Sequence, residues 1–125
     1  MRRVWGRVQG AIRLWWQRRT RGWDDSDLWS LDHTHAKWIA PRLRRFKQVT
    51  YALPSSLLYP DGTGESIGTE AAAATWNKVL DDMIYAFEFV ADEDRFFGTD
   101  PNHPDWARVA HGLELFARYY NCLWY

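Results

Sequence analysis

Cysteine is nearly absent from this chain: its 125 residues include one, Cys122. A single cysteine excludes an intrachain disulfide and a cysteine-rich zinc site. No apolar run approaches the roughly 18–20 residues of a membrane-spanning helix. Arg7 and Arg13 interrupt the stretch in which a signal peptide would carry its apolar core. We therefore expect a cytoplasmic protein without a membrane span, in which Cys122 packs within the last helix.

Motifs of catalysis and metal binding are also lacking. The sequence has no glycine-rich phosphate loop, no nucleophile elbow and no serine or cysteine beside an obvious base. On a helix, His33 and His35 point about 200° apart and cannot bind one ion, so we expect His35 on the core face and His33 in solvent. These absences favour a binding protein without cofactor or metal over an enzyme. A hydrolase or nuclease is the least favoured class.

The alternation typical of strands is absent as well, and apolar residues recur instead at helical spacing. We predict an all-α, compact single domain over residues 1–125, a bundle of four to five helices with one long central loop at 50–69. The predicted helices are a basic amphipathic one at 1–20, two segments joined by a break or kink near Ala40 because of Pro41, one at 70–91 and one that starts at Pro104.

Three helix faces are assigned from spacing. The face of Asp81, Tyr85 and Glu88 can receive arginines from the N-terminal half. The helix after residue 24 is expected to bury Leu28, Leu31, His35, Trp38 and Ile39. The last helix is expected to bury Trp106, Val109, Ala110, Leu113, Phe116, Ala117, Tyr120, Leu123 and Trp124.

Charge and aromatic side chains are abundant. The net charge is zero, but residues 1–50 carry 12 Lys and Arg against 4 acids, and residues 51–125 carry 4 against 12. Either the two halves attract each other or the N-terminal half binds an anionic ligand. The nine tryptophans belong to a residue type that is enriched at interfaces. We therefore predict a homodimer or higher even oligomer, with Trp124 or the first helix's Trp5, Trp15 and Trp16 in the contact.

The first helix has a distinct apolar face, formed by Val4, Trp5, Val8, Ile12, Trp15 and Trp16. A basic helix with such a face is typical of a membrane interface, and equally of docking on an acidic surface. Docking on the acidic C-terminal half is the favoured alternative, because the core of the domain needs to be covered.

The segment Arg21–Lys47 begins with carboxylates and ends with a basic cluster. We predict a site in which Arg42 and Arg45 bind phosphates, a tryptophan stacks on a base and carboxylates accept from ribose or base donors. The predicted ligand-binding residues are Trp23, Asp24, Asp27, Trp29, Asp32, Arg42, Arg45 and Lys47. In the alternative, residues 42–47 form ion pairs with Asp24, Asp27 and Asp32. Duplex nucleic acid is disfavoured because the carboxylates would repel a polyanion.

The same segment resembles a family of small proteins encoded in phages and prophages. The resemblance rests on Arg-Gly-Trp from Arg21, the acidic cluster, Trp-Ser-Leu-Asp from Trp29, and Pro-Arg-Leu-Arg-Arg-Phe-Lys from Pro41. The stretches TWNKVLDDMIYAFEF and HGLELFARYYNCLWY are also similar to that family, so the resemblance covers most of residues 20–125. It implies a phage setting in the host cytoplasm, where small non-enzymatic proteins bind a protein or a nucleotide signal of host defence.

The leading hypothesis is an anti-defence accessory protein, a sponge that sequesters a small anionic ligand such as a nucleotide immune signal. The alternative is a protein–protein inhibitor or assembly factor that uses its aromatic surface on a host or virion protein.

Overall fold

The structure, a computed structural model, describes residues 2–62 and 64–124, without the side chains of residues 2–4. Val4, which was assigned to the apolar face of the first helix, therefore has its side chain outside the described part. The described residues form helices and contain no strand, which confirms the all-α prediction. The α-helices are α1 (Arg2–Arg21), α2 (Leu31–Val49), α3 (Ser55–Leu58), α4 (Thr69–Ala91), α5 (Glu93–Gly98) and α6 (Asp105–Tyr119), with 3₁₀ helices at Asp25–Leu28 and Tyr120–Cys122.

Six α-helices in the described ranges exceed the predicted four to five, because α3 and α5 are short. α3 has four residues inside the expected loop at 50–69, and α5 has six. Helices of one turn are too short to show an apolar period in the sequence. α3 begins after Pro54, whose carbonyl accepts hydrogen bonds from the amides of Leu57 and Leu58.

α4 is the central helix, and α2 and α6 pack on it. Its apolar residues recur at steps of three and four and are buried, with Trp76, Leu80, Met83 and Phe89 almost fully enclosed. Leu43 of α2 and Val109 of α6 belong to the same core. A helix that is apolar around most of its circumference is stable here because neighbours cover two sides of it.

α2 continues through Pro41 as one helix, so of the break or kink predicted near Ala40 the break does not occur. Proline removes the hydrogen bond that residue 41 would donate to the carbonyl of Lys37. Ala36, Ala40 and Leu43 are buried against the core on both sides of that position, and this packing compensates for the missing bond.

The buried face of α2 is rotated from the one predicted, and that of α6 agrees in part. α2 buries His33, Ala36, Ala40 and Leu43, whereas the predicted Leu28, Leu31, His35 and Trp38 are exposed and Ile39 is half-buried. On the last helix the predicted Val109 is buried and Trp106, Phe116 and Leu123 pack against the core, whereas Ala110, Leu113, Ala117, Tyr120 and Trp124 are exposed. Ala36 and Ala40 of α2 and Gly112 of α6 face the core, and these small residues allow α4 to approach closely.

α1 does not dock on the acidic half of the chain, so that prediction is wrong. It packs against the 3₁₀ helix Asp25–Leu28, and its Trp5, Trp15 and Trp16 are 55–65% exposed. Gly22 ends α1 with a φ of +81°, and its amide donates to the carbonyl of Arg18 at 2.8 Å, as expected for a C-cap. Among the described helices, none combines the length and apolar character needed to cross a bilayer.

Candidate functional site

A cluster of hydrogen bonds and ion pairs among Arg18, Arg21, Asp24, Asp25 and Asp27 connects α1 to the following 3₁₀ helix, and we call this cluster the joint. Asp24 precedes the 3₁₀ helix and accepts from the amide and hydroxyl of Ser26, while Asp27 accepts from the amide of Asp24, which makes a reciprocal capping box. Arg18 of α1 donates to Asp24 at 2.7 Å, and Arg21 donates to Asp25 at 2.8 Å. These bonds fix the 3₁₀ helix beside the C-terminal end of α1.

This joint places the carboxylates in a structural role. Hydrogen bonds from Ser26 and then Arg18 lower the pKa of Asp24, which is 4% exposed. Bonds from Gln17 and then Arg21 lower the pKa of Asp25 in the same way. Both aspartates are therefore ionised at neutral pH and are already committed to donors of this chain.

Beside the joint lies a groove of about 770 Å³, which we call the Trp23–Trp38 groove. The volume falls in the roughly 300–1,000 Å³ range of small-molecule sites. On its α2 side, residues 31, 34, 35, 38 and 42 share one helix face at steps of one, three and four, and Lys37 of α2 lines the groove as well. The groove is lined by Arg18, Gly22, Trp23, Asp27, Leu28, Leu31, Thr34, His35, Lys37, Trp38 and Arg42.

Cations and indoles occur together in the groove. The Arg42 guanidinium lies over the Trp38 ring, 4.2 Å from its centroid, and donates to the Trp38 carbonyl at 2.8 Å. Arg18 and Lys37 are each paired with a carboxylate, Lys37 with Glu93 at 3.0 Å. Within the described part of the chain, Arg42 has no carboxylate within ion-pair distance. The groove therefore presents one uncompensated guanidinium that is already positioned by stacking.

The structure brings three of the eight predicted ligand-binding residues into this groove: Trp23, Asp27 and Arg42. Asp24 is buried in the joint. Trp29 is 77% exposed outside the groove, and Asp32 lines a neighbouring cleft. Arg45 contacts Gln48 at 3.2 Å, and Lys47 pairs with Asp81 at 2.6 Å.

The alternative prediction, in which the basic cluster pairs with Asp24, Asp27 and Asp32, is wrong in its partners. Arg44 pairs with Glu88 and Lys47 with Asp81, both on α4. This confirms the expectation that the acidic face of α4 receives basic residues from the N-terminal half. The pairing with Glu88 raises the pKa of Arg44. Arg18 takes the place of the α2 arginines at Asp24.

Several lining residues of the groove were not assigned to the site from the sequence. Helical spacing places Trp38 and His35 on the buried face instead, and it assigns no role to Thr34 or Lys37. The helical spacing of residues 31, 34, 38 and 42 could have indicated the site. These residues, apolar and polar, share the face of α2 that is opposite Ala36 and Ala40.

The two histidines exchange their expected environments. His33 is buried at 4% exposure, and its Nδ1 lies 2.6 Å from the carbonyl of Val90 near the end of α4. Its ring packs on Phe96 with centroids 4.6 Å apart. His35 is exposed and lies between the groove and an apolar cleft of about 450 Å³ formed with Phe87, Trp106 and Leu113. The expected environments are exchanged because α2 packs on the core through Ala36 and Ala40, which turns His33 inward and His35 outward.

No cluster of three or more histidine, cysteine, aspartate or glutamate side chains suited to a metal ion occurs in the described ranges. No family model matches the chain, and neither does any curated protein or solved structure.

Proposed function

We propose that the chain binds a small anionic ligand with an aromatic ring, a nucleotide in the leading hypothesis, in the Trp23–Trp38 groove. The observation that supports it is Arg42, a guanidinium held over Trp38 at 4.2 Å and left without a carboxylate in the described part of the chain. Such an arginine attracts phosphate and presents a planar fork to its oxygens.

Each part of a nucleotide has a suitable partner in the groove. Arg42 would bind phosphate, and the half-exposed indoles of Trp23 and Trp38 would stack on the base. Thr34 and Asp27 would accept from ribose or base donors. Leu28 and Leu31 are exposed in the free chain and would be covered by the ligand, which contributes apolar burial.

Sequestration is the biological role that we propose for this binding. It is supported by the resemblance of residues 20–125 to small phage and prophage proteins, a resemblance that stays a prediction. In this role the protein holds a nucleotide immune signal of the host without changing it. Recovery of intact ligand after denaturation of the complex is the expected result, and turnover would instead indicate an enzyme.

Titration calorimetry against a panel of cyclic and ADP-ribose-type nucleotides tests the proposal. We expect one ligand class to bind, and Arg42→Ala to weaken it roughly 10- to 100-fold, the loss of a charge-assisted hydrogen bond. Trp38→Ala should cost roughly 5- to 150-fold, the contribution of one stacked base. Arg45→Ala on the same helix and Trp29→Ala are the matched controls, because both side chains are exposed outside the groove.

Two outcomes would contradict this assignment. If no nucleotide of the panel gives heat at tens of micromolar protein, the proposal that the ligand is a nucleotide is contradicted. Equal losses in Arg42→Ala and Arg45→Ala would place the ligand elsewhere. The alternative function, a protein–protein inhibitor or assembly factor, predicts a stoichiometric protein partner whose capture survives Arg42→Ala.

A further inference from the structure

The apolar face of α1 is uncovered along its length. Val8, Ile12, Trp15 and Trp16 line a shallow depression with Ala11, and each of these four is about half-exposed or more. With Trp5 the stripe extends over the 12 residues from Trp5 to Trp16, or roughly 17 Å of helix. An apolar stripe of this length on an exposed helix indicates a partner surface.

Arginines flank this stripe on both sides. At about 100° per residue, Arg7 and Arg13 each lie roughly 115–130° from the middle of the stripe, on opposite flanks. Arg19 lies nearer the stripe, with its guanidinium 5.6 Å from the Trp15 centroid. α1 contains no acidic residue, and Arg18 and Arg21 at its C-terminal end are paired in the joint. The flanking arginines Arg7 and Arg13 form no ion pair within the described residues.

We infer that α1 lies in the surface of an anionic lipid bilayer, with its tryptophan stripe among the acyl chains and its arginines among the lipid phosphates. A bilayer offers an apolar layer bordered by a continuous anionic layer, which matches a stripe with cations on both flanks. Tryptophan rings favour that boundary, because they are large and apolar with one polar N–H.

In a second copy of the chain, three acids of α4 and α5 are not free to contact these arginines. Asp81, Glu88 and Glu93 are already paired with Lys47, Arg44 and Lys37. The joint of Arg18 with Asp24 and Arg21 with Asp25 holds α1 by one end, which leaves its stripe free to contact a flat surface. Lipid binding is independent of the ligand proposed for the groove.

Vesicle flotation tests the inference with the full chain. We expect it to float with phosphatidylcholine vesicles that contain about one-quarter phosphatidylglycerol. It should not float with vesicles of pure phosphatidylcholine. Arg7→Gln/Arg13→Gln should lower the partition coefficient about 25-fold, since each arginine near an anionic surface contributes roughly a factor of five. Trp15→Gln/Trp16→Gln should abolish flotation. About 0.5 M NaCl should weaken binding, because charges are screened beyond a few ångströms.

The controls carry the same chemical changes away from α1. Arg45→Gln/Arg118→Gln has the same net charge as Arg7→Gln/Arg13→Gln. Trp29→Gln/Trp124→Gln removes two exposed indoles that lie outside α1. Both should float like the parent chain. The inference is overturned if the parent chain does not float, if it floats equally with uncharged vesicles, or if the controls lose as much. A change of oligomer mass in Trp15→Gln/Trp16→Gln without flotation of the parent would assign the stripe to a second copy instead.

Discussion

Gly112 of α6 lies against Ala86 of α4 so closely that a Cβ on residue 112 would be 2.6 Å from the Ala86 Cβ. The same Cβ would collide with the backbone carbonyl of Asp82. Gly112 therefore sets the distance between the two helices that carry most of the core. The glycine is required by space, since its φ is not in the left-handed region.

Gly112→Ala should lower the free energy of unfolding by about 1–3 kcal/mol, because α4 backbone must move to admit the methyl group. Urea denaturation followed by circular dichroism at 222 nm measures the change. Gly10→Ala is the matched control: apart from the neighbouring backbone of α1 itself, no described atom lies within 4 Å of its Cβ position. There the gain in helix propensity should leave stability unchanged or raise it by up to ~1 kcal/mol. Equal effects of the two variants would contradict the close contact.

The imidazole of His33 closes the C-terminal end of α4, where carbonyls lack helical partners. Nδ1 donates to the carbonyl of Val90 at 2.6 Å. His33→Phe keeps the ring but leaves this buried carbonyl unpaired, so it should cost about 1–3 kcal/mol of unfolding free energy. His35→Phe should change stability by less than about 0.5 kcal/mol, since that residue is exposed. A larger loss of stability in His35→Phe than in His33→Phe would support the assignment expected from the sequence, with His35 in the core and His33 in solvent.

Acid should loosen the joint between α1 and the 3₁₀ helix before the core unfolds. The folded chain lowers the pKa of Asp24 below the ordinary value of about 3.9. Its contribution is thus fully present above that ordinary value and is lost as pH falls through the lower pKa of the folded chain. The Ser26 amide, which donates to Asp24 at 2.9 Å, reports the change in an NMR pH titration.

Asp24→Asn is the comparison for this titration. Asparagine still accepts the Ser26 bond but does not titrate, so its Ser26 amide shift should stay flat across the same acid range. Core amides on α4, such as that of Leu80, should not follow the Ser26 transition. A Ser26 transition of equal size in Asp24→Asn would assign the acid response to another carboxylate.

The long helices of this fold could be predicted from the sequence, and the full buried faces of α2 and α6 could not. Helical spacing of apolar residues predicted a helix at 70–91, and the structure has α4 at Thr69–Ala91. Spacing failed on α2 because His35 and Trp38 outweigh Ala36 and Ala40 in size, although the alanines face the core. Which face of α2 is buried depends on how closely α4 can approach that face, and the spacing of residues within α2 does not contain this information.

The same limit applies to the candidate site. Composition identified the segment Arg21–Lys47, since charged and indole side chains are concentrated there. Which residues of the segment reach the groove depends on contacts across the fold: Lys47 pairs with Asp81, and Asp24 pairs with Arg18. Within the described part of the chain neither Arg42 nor Arg45 has a carboxylate within ion-pair distance, but Arg42 lines the groove whereas Arg45 contacts Gln48 outside it. This difference depends on how α2 packs, and no local sequence pattern contains it.

The homo-oligomer predicted from the sequence stays a prediction, and the C-terminal part of the chain offers a surface for it. Leu113 of α6 is 40% exposed, and Tyr120 and Trp124, which follow α6, are each 61% exposed. Exposed apolar side chains are covered when two copies associate. Light scattering at micromolar concentration should give a mass of twice the 14.8 kDa of the monomer, or a higher even multiple of it. Tyr120→Glu/Trp124→Glu should return the mass to that of the monomer, because two carboxylates would then face each other across a two-fold contact, while Trp29→Glu should not. A parent chain of monomeric mass, with or without ligand, would contradict the prediction, and dissociation by Trp15→Glu/Trp16→Glu would move the contact to α1.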